Sequence, residues 1–166
     1  MVDGNGKGTG KFSRHIIDAQ RSNHGLGFAD INGDGRIDVI LENGWLEQPE
    51  DVYSGCWRYH EDYHLGTASI PILARDITGN GLVDLIAGRA HDYGLFWWEQ
   101  KLDAAGRRTW QRHVIDDANA LYHEMQLIDI DCDGESELVT GKRYRAHNGN
   151  DPGDNDEVFT CYFKMM

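Results

Sequence analysis

The sequence has few cysteines and no long apolar segment. Its three cysteines, Cys56, Cys132 and Cys161, are odd in number and far apart, so they do not form the framework of a disulfide-rich domain. No apolar run approaches the roughly 20 residues of a membrane helix, and the first residues lack the charged and then apolar pattern of a signal peptide. We therefore expect no membrane insertion, and the compartment stays open.

Basic residues are also scarce. Lys and Arg total 16 against 28 Asp and Glu, which gives a net charge of −12. Surfaces that bind nucleic acids need Lys and Arg to neutralise phosphates. The charge balance therefore argues against a nucleic-acid partner. Much of the acidity is concentrated in three short segments, so bound cations would relieve self-repulsion and the metal-free chain should be less stable.

These acidic segments are three copies of a nine-residue loop, at residues 30–38, 76–84 and 129–137. Each copy has oxygen-bearing side chains at positions 1, 3, 5 and 9, and glycine at position 6, where a tight turn favours a residue without Cβ. Such oxygens are the ligands that Ca²⁺ prefers, so we predict a calcium site in each loop. With position 7 acting through its backbone carbonyl, the candidate ligands are Asp30, Asn32, Asp34, Arg36 and Asp38; Asp76, Thr78, Asn80, Leu82 and Asp84; and Asp129, Asp131, Asp133, Glu135 and Glu137.

The loops do not belong to helix-loop-helix calcium sites. Those sites need a bidentate Glu at position 12, where this sequence has Leu41, Ala87 and Thr140. The runs that follow the loops, residues 36–41, 82–87 and 136–140, are short and β-branched, which predicts strands. Each loop is therefore expected to join two strands of a hairpin.

The number of carboxylates differs between the three loops. At the ligand positions other than position 7, the second loop keeps two, Asp76 and Asp84, whereas the first keeps three and the third four. Charge count is one determinant of calcium affinity. The second site should therefore bind calcium more weakly than the others.

The repeat extends beyond the loops. Aromatic segments Phe12–His15, Trp57–His60 and Trp110–His113 precede the loops by 18, 19 and 19 residues, and residues 44–48 correspond to residues 94–100. The loops begin 46 and 53 residues apart (76 − 30 and 129 − 76), close to the roughly 40 to 50 residues of a four-stranded propeller blade. We predict an all-β fold, a β-propeller built of such blades.

The loops and the Trp-Glu-Gln strands resemble the FG-GAP/VCBS repeat family, the calcium-binding propeller repeat also found in integrin α heads. Thr78 and Asn80 replace carboxylates in the second loop, and Cys132 replaces the usual glycine at position 4 of the third. The resemblance covers nearly the whole chain. It implies a secreted or cell-envelope location and a carbohydrate or protein ligand.

The chain has room for about three blades. We place the repeats at about 12–56, 57–109 and 110–166, with residues 1–11 as the tail of a preceding blade. Closed propellers have four to eight blades. We therefore expect either a segment of a longer propeller or a ring closed by self-association, since an open stack leaves sheet edges and apolar faces bare.

Histidines occupy matched positions of the repeat. His15, His60 and His113 lie in or beside aromatic strands, where a packed structural histidine is the ordinary interpretation. His24 and His123 each lie six residues before an acidic loop. In a propeller this position opens on the central channel, although a turn histidine bonded to backbone is an equally good interpretation.

A basic and aromatic cluster follows the third loop, and a counterpart follows the second. In so acidic a chain, this concentration suggests capture of an anion or a polyol, with tyrosines available for stacking, while the alternative is a solvated charged strand. The polar segment 148–156 that comes next could bind another cation or merely connect strands. The candidate ligand-binding residues are His24, Arg89, His91, Tyr93, Lys142, Arg143 and Tyr144.

The stretches 91–99 and 141–153 resemble the propeller part of aldos-2-ulose dehydratase-like proteins. That resemblance implies elimination of water from an oxidised sugar, with His123 and His147 as the acid–base pair and Lys142 and Arg143 as electrophilic support. By residue type, a further divalent metal could bind among His24, His91, His123 and His147. Two classes stay open: a non-catalytic calcium-stabilised propeller that presents loops to a ligand, and a carbohydrate lyase or dehydratase.

Overall fold

The structure, a computed structural model of the chain, describes residue 2 and residues 4–21 and 24–165. In this part the chain forms eleven strands and no helix, arranged as three antiparallel sheets, none of them closed. The prediction of an all-β fold is confirmed. Within the same residues there is accordingly no helix long and apolar enough to cross a membrane.

Consecutive strands pair with each other in every sheet. The first sheet contains β1 (Leu26–Ala29), β2 (Asp38–Leu41), β3 (Gly44–Glu47) and β4 (Arg58–His60), in that order. The second contains β5 (Leu73–Arg75), β6 (Asp84–Gly88), β7 (Tyr93–Leu102) and β8 (Arg108–Ala120). The third contains β9 (Tyr122–Ile128), β10 (Glu137–Lys142) and β11 (Thr160–Phe163).

The acidic loops join the first two strands of each sheet, as predicted. Each connects an antiparallel pair, β1–β2, β5–β6 or β9–β10. The glycines at position 6 have positive φ angles, 84° at Gly35, 83° at Gly81 and 95° at Gly134. Only glycine adopts this left-handed conformation without a steric cost, which explains why the position is glycine in all three copies.

Two apolar cores lie between the sheets, and β6 contributes to both. Leu85 and Ala87 pack into the core shared with the first sheet, together with Ile40 and Trp45. Ile86, which lies between them in sequence, packs into the core shared with the third sheet. This division follows from the alternation of side chains along a strand. Each large side chain so buried contributes about 1.5–3 kcal/mol.

The first strands of the three sheets lie side by side: β1 contacts β5, and β5 contacts β9. Gly27 in β1 allows this close approach. A Cβ at this position would collide with the backbone carbonyl of Ile72, just before β5. The three acidic hairpins are therefore stacked in one row.

Two of the aromatic segments form outer strands. His60 of β4 stacks on Trp45 with ring centroids 4.2 Å apart, and its Nε2 lies 2.7 Å from Glu47. His113 of β8 repeats the arrangement on Trp97, at 4.2 Å, and on Glu99, at 2.9 Å. These two histidines are packed structural residues, as expected.

The third aromatic segment, Phe12–His15, is not a strand, and the prediction for it was wrong. Phe12 is 97 % exposed, and no strand pairs with this segment among the described residues. A strand needs a neighbour for its backbone hydrogen bonds, and an aromatic pattern cannot supply one. The third sheet likewise has three strands in the described part rather than four. Residues 1 and 3 of the predicted leading segment lie outside the described residues.

Candidate metal and ligand site

Several candidate ligand-binding side chains gather at the end of the sheets opposite the acidic loops. In the first hairpin, Ala29 pairs with Asp38 beside the loop, and Leu26 pairs with Leu41 at the far end. We call this far end the rim. The residues just before β1, β5 and β9 and just after β2, β6 and β10 meet there, because the paired strands are antiparallel.

Four histidines from the three predicted repeats meet at the rim. The ring centroid of His91 is 4.9 Å from that of His24 and 4.6 Å from that of His147. The ring of His123 is 6.4 Å from that of His24. The structure thus brings together histidines that are far apart in sequence. We call the following residues the rim cluster: His24, His91, His123, Arg143, His147 and Asp151.

Asp151 connects two of these histidines. Its carboxylate lies 2.6 Å from Nδ1 of His91 and 2.9 Å from Nδ1 of His147. A carboxylate accepts but does not donate, so both rings carry their proton on Nδ1. In the neutral imidazoles the lone pair is then on Nε2. The hydrogen bonds from His147 and then His91 lower the pKa of Asp151, which keeps it ionised.

The segment between β10 and β11 is built to hold His147 and Asp151. Buried Asp154 accepts the backbone N–H groups of Ala146 and Asp151, at 2.8 and 2.9 Å. His147 and Asn148 both have positive φ, 45° and 61°. Non-glycine residues adopt this conformation at a cost, and such strain is concentrated at functional sites.

Arg143 is the cation of the rim cluster. Its guanidinium donates to the carbonyl of Ala90 at 2.9 Å and lies 3.6 Å from the Asp151 carboxylate. Its contact with Nδ1 of His91, at 3.3 Å, is not a hydrogen bond, because that nitrogen already donates to Asp151. Nε of Arg143 is buried and has no partner within the described residues.

The environment of His123 favours its neutral form. Burial lowers its pKa, and the charges of Arg143 and His24 lower it further. At neutral pH, His123 is therefore an unprotonated base next to a guanidinium. Its β-strand backbone in β9 fixes its position.

Other candidate ligand-binding residues lie outside the rim cluster. Lys142 is buried, its Nζ donates to the Arg143 carbonyl, and it lines a groove along the third sheet together with His123 and Arg143. Tyr93 donates to Asp156 at 2.7 Å. Tyr144 is 70 % exposed, and the guanidinium of Arg89 lies over the ring of Phe96.

The acidic loops are organised by their own carboxylates. In each copy the aspartate at position 1 accepts the backbone N–H groups of positions 5 and 6, as Asp30 does from Asp34 and Gly35 at 3.0 and 2.8 Å. The carboxylate at position 9 accepts the N–H of position 2. Burial raises the pKa of Asp38 and Asp84 at this position, so a nearby cation would favour their ionised form.

Among the three loops, the third best resembles a preformed metal site. Oxygens of Asp129, Asp131 and Glu137 lie within 4.8 Å of one another. Buried Oε1 of Glu137 has no hydrogen-bond partner in the described part of the chain. In the first loop, Asp34 pairs with Arg36 at 2.5 Å, as Asp133 of the third loop pairs with Lys164. In the second, the amide oxygen of Asn80 accepts the Leu82 N–H at 2.8 Å.

The sequence patterns did not identify Asp151 or Glu42. Asp151 lies in the polar segment 148–156, whose composition indicated only a loop with a conceivable cation site. Glu42 follows β2 at the rim, and burial raises its pKa. Neither residue belongs to a repeated motif, so its position could be found only from the fold.

The geometry stands without support from relatives. Comparison with family models, curated proteins and solved structures finds no match to this chain.

Proposed function

We propose that the chain is a segment of a calcium-stabilised β-propeller of the FG-GAP/VCBS type, and that its rim binds a carbohydrate with the help of a divalent metal ion. Three like hairpins stacked in a row, with their first strands adjacent, are what neighbouring blades require. A groove of about 620 Å³ along the third sheet, bordered by Ile128 and Val139, would be covered by a further blade of the same or another chain.

The observation that carries the metal proposal is the shared carboxylate of His91 and His147. A metal-bound histidine usually donates its other ring N–H to a carboxylate, which fixes the tautomer and orients the ligand nitrogen. Asp151 has this role for both rings, so their Nε2 lone pairs are free. The residue types therefore suit an ion that accepts imidazole, such as Zn²⁺, once the parallel rings tilt towards each other, and His24, beside His91, would be a third ligand.

The charges at the rim suit a polyol or an acidic sugar. The chain carries a net charge of −12, yet the guanidinium of Arg143 lies at the centre of the cluster. Arg143 and a bound divalent ion would attract hydroxyl, carbonyl or carboxylate oxygens. Exposed Tyr144, close in sequence, offers a face for stacking on a sugar ring.

A second candidate function, sugar dehydration, is favoured by the lowered pKa of His123. A neutral imidazole beside Arg143 can accept the proton from the carbon next to a carbonyl, and Arg143 can stabilise the oxygen that becomes negative. This second function would operate without an ion at the rim, because Nε2 of His147 must then carry a proton and give it to the departing hydroxyl, which leaves as water.

Zinc titration by calorimetry, followed by a glycan array with and without zinc, tests the proposal. We expect one strong site per chain that weakens in His147→Gln and is unchanged in His113→Gln, a histidine of the aromatic strands. Zinc-dependent sugar binding would support the carbohydrate assignment. Zinc binding without any sugar binding would favour a protein partner. The absence of zinc binding would overturn the metal proposal.

A further inference from the structure

The third acidic loop contains a cation supplied by the chain itself. Nζ of Lys164 lies 2.8 Å from Oδ2 of Asp131 and 2.5 Å from Oδ2 of Asp133. These aspartates are at positions 3 and 5 of the loop, where their oxygens would bind calcium. The ammonium group therefore occupies the oxygens on which an ion would depend.

The first loop has a partial counterpart, because Arg36 of the loop itself pairs with Asp34 at 2.5 Å, but among the described residues only the third loop has a lysine that bridges positions 3 and 5. The β10–β11 register, extended by one residue, places Lys164 opposite Glu137. The corresponding positions in the first and second sheets are Glu47 and Glu99, which bind the structural histidines of the outer strands. The third sheet thus has a lysine where the others have glutamate.

A second feature indicates that this loop is built to hold an ion. Glu137 is 0 % exposed, and its Oε1 atom is buried without a hydrogen-bond partner within the described residues. An orphaned carboxylate oxygen is costly unless a cation or donor satisfies it. Lys164 bonds to Asp131 and Asp133 and makes no hydrogen bond to this oxygen in the described part of the chain.

We propose that Lys164 is an internal competitor for the third calcium site. It neutralises Asp131 and Asp133 in the metal-free chain, and its ammonium must leave before Ca²⁺ can bind there. The inference rests on the calcium assignment of the proposed function. Its consequence is that the third loop binds calcium less tightly than its four carboxylates alone would indicate.

The glycine at position 6 of each loop provides a separate reporter. The backbone N–H groups of Gly35, Gly81 and Gly134 each donate to the first aspartate of their own loop. A calcium titration followed by these three amide resonances therefore measures each loop separately. In Lys164→Met we expect the calcium concentration at the midpoint of the Gly134 titration to fall by about fivefold to thirtyfold, because one positive charge has left the site. The other two midpoints should not move.

Lys101→Met is the matched control. Lys101 has nearly the same exposure as Lys164, 45 % against 46 %, but pairs with Glu99 outside the acidic loops. It should leave all three midpoints unchanged. Thermal unfolding gives a second test. Without calcium, Lys164→Met should have a lower melting temperature than the parent chain, and calcium should raise its melting temperature by more. A purely structural lysine would cost stability in both conditions.

The titration distinguishes a failure of the proposed competition by Lys164 from a failure of the calcium assignment of the third loop. If Gly134 responds to calcium with the same midpoint in the parent chain and in Lys164→Met, the inference is overturned and the calcium assignment stands. If the Gly134 resonance responds in neither protein, the calcium assignment of this loop fails, and the inference fails with it.

Discussion

The imidazole rings of His91 and His147 lie parallel, with centroids 4.6 Å apart and planes inclined by 12°. Both donate Nδ1–H to Asp151. Asp151 therefore holds the two rings against each other and leaves the Nε2 atom of each outside this contact. Because an imidazole lone pair lies in the ring plane, both rings would bind the proposed ion only after they tilt towards each other.

Replacing the shared carboxylate should weaken the metal site. Asp151→Asn keeps the shape of the side chain but removes the charge that orients both rings, so zinc affinity should fall by about tenfold to a hundredfold. Competition with a chromophoric chelator measures the change. Asp156→Asn, which alters the partner of Tyr93, is the control and should bind zinc like the parent chain. Equal losses in both variants would contradict the role of Asp151.

His123 should make folding stability depend on pH. Burial and then Arg143 lower its pKa in the folded state, so the unfolded chain binds more protons as the pH falls through about 6.5. The titration of His123 therefore lowers the free energy of unfolding as the solution is acidified, and this effect is absent well above that pH.

Urea unfolding at pH 7.5 and pH 5.5, without metal, measures this contribution. His123→Gln should lose less stability between the two pH values than the parent chain does. His15→Gln is a control, because His15 lies outside the rim cluster and bonds to Ser13. An identical pH dependence in His123→Gln and in the parent chain would show that His123 does not titrate in this way.

Loss of a carboxylate from the acidic loops should reduce the stabilisation that calcium gives. Asp34→Ala and Asp133→Ala should each lower the calcium-dependent gain in melting temperature, and Asn80→Ala should have a smaller effect because the second loop has fewer charges. Thermal unfolding with and without calcium gives the three values. Equal effects of all three substitutions would mean that charge count does not rank the sites.

The core between the first and second sheets should dominate global stability. Leu85 is fully buried in it, so Leu85→Ala should lower the free energy of unfolding by about 2–5 kcal/mol. Leu102 at the end of β7 is 53 % exposed, and Leu102→Ala should stay within about 0.5 kcal/mol. Urea denaturation compares them. Similar losses for both leucines would show that the two sheets do not share a tightly packed core.

The hairpins were predictable because their determinants are local. A positive φ at position 6 requires glycine, and a buried β-branched run follows each loop, so sequence alone located β2, β6 and β10. The strand predicted at Phe12–His15 failed because strand formation depends on a partner, which residue pattern does not report. The burial of Lys142 is likewise a property of the tertiary structure that residue pattern does not report.

The rim cluster could be predicted only in its residue types. The matched positions of His24 and His123 and the stretches after β6 and β10 identified its members other than Asp151. Their proximity depends on the fold of residues 143–159, which Asp154 organises through two backbone N–H groups. No periodic pattern encodes that turn, so the partnership of His91, His147 and Asp151 required the structure.

Anomalous diffraction from crystals grown with calcium and a trace of zinc is the most direct test of metal binding at the rim. We expect a zinc peak at the rim, bounded by Nε2 of His91 and Nε2 of His147, and calcium in the acidic loops. Calcium in the loops with no zinc at the rim would contradict the metal-assisted function and leave the rim as an ordinary polar surface.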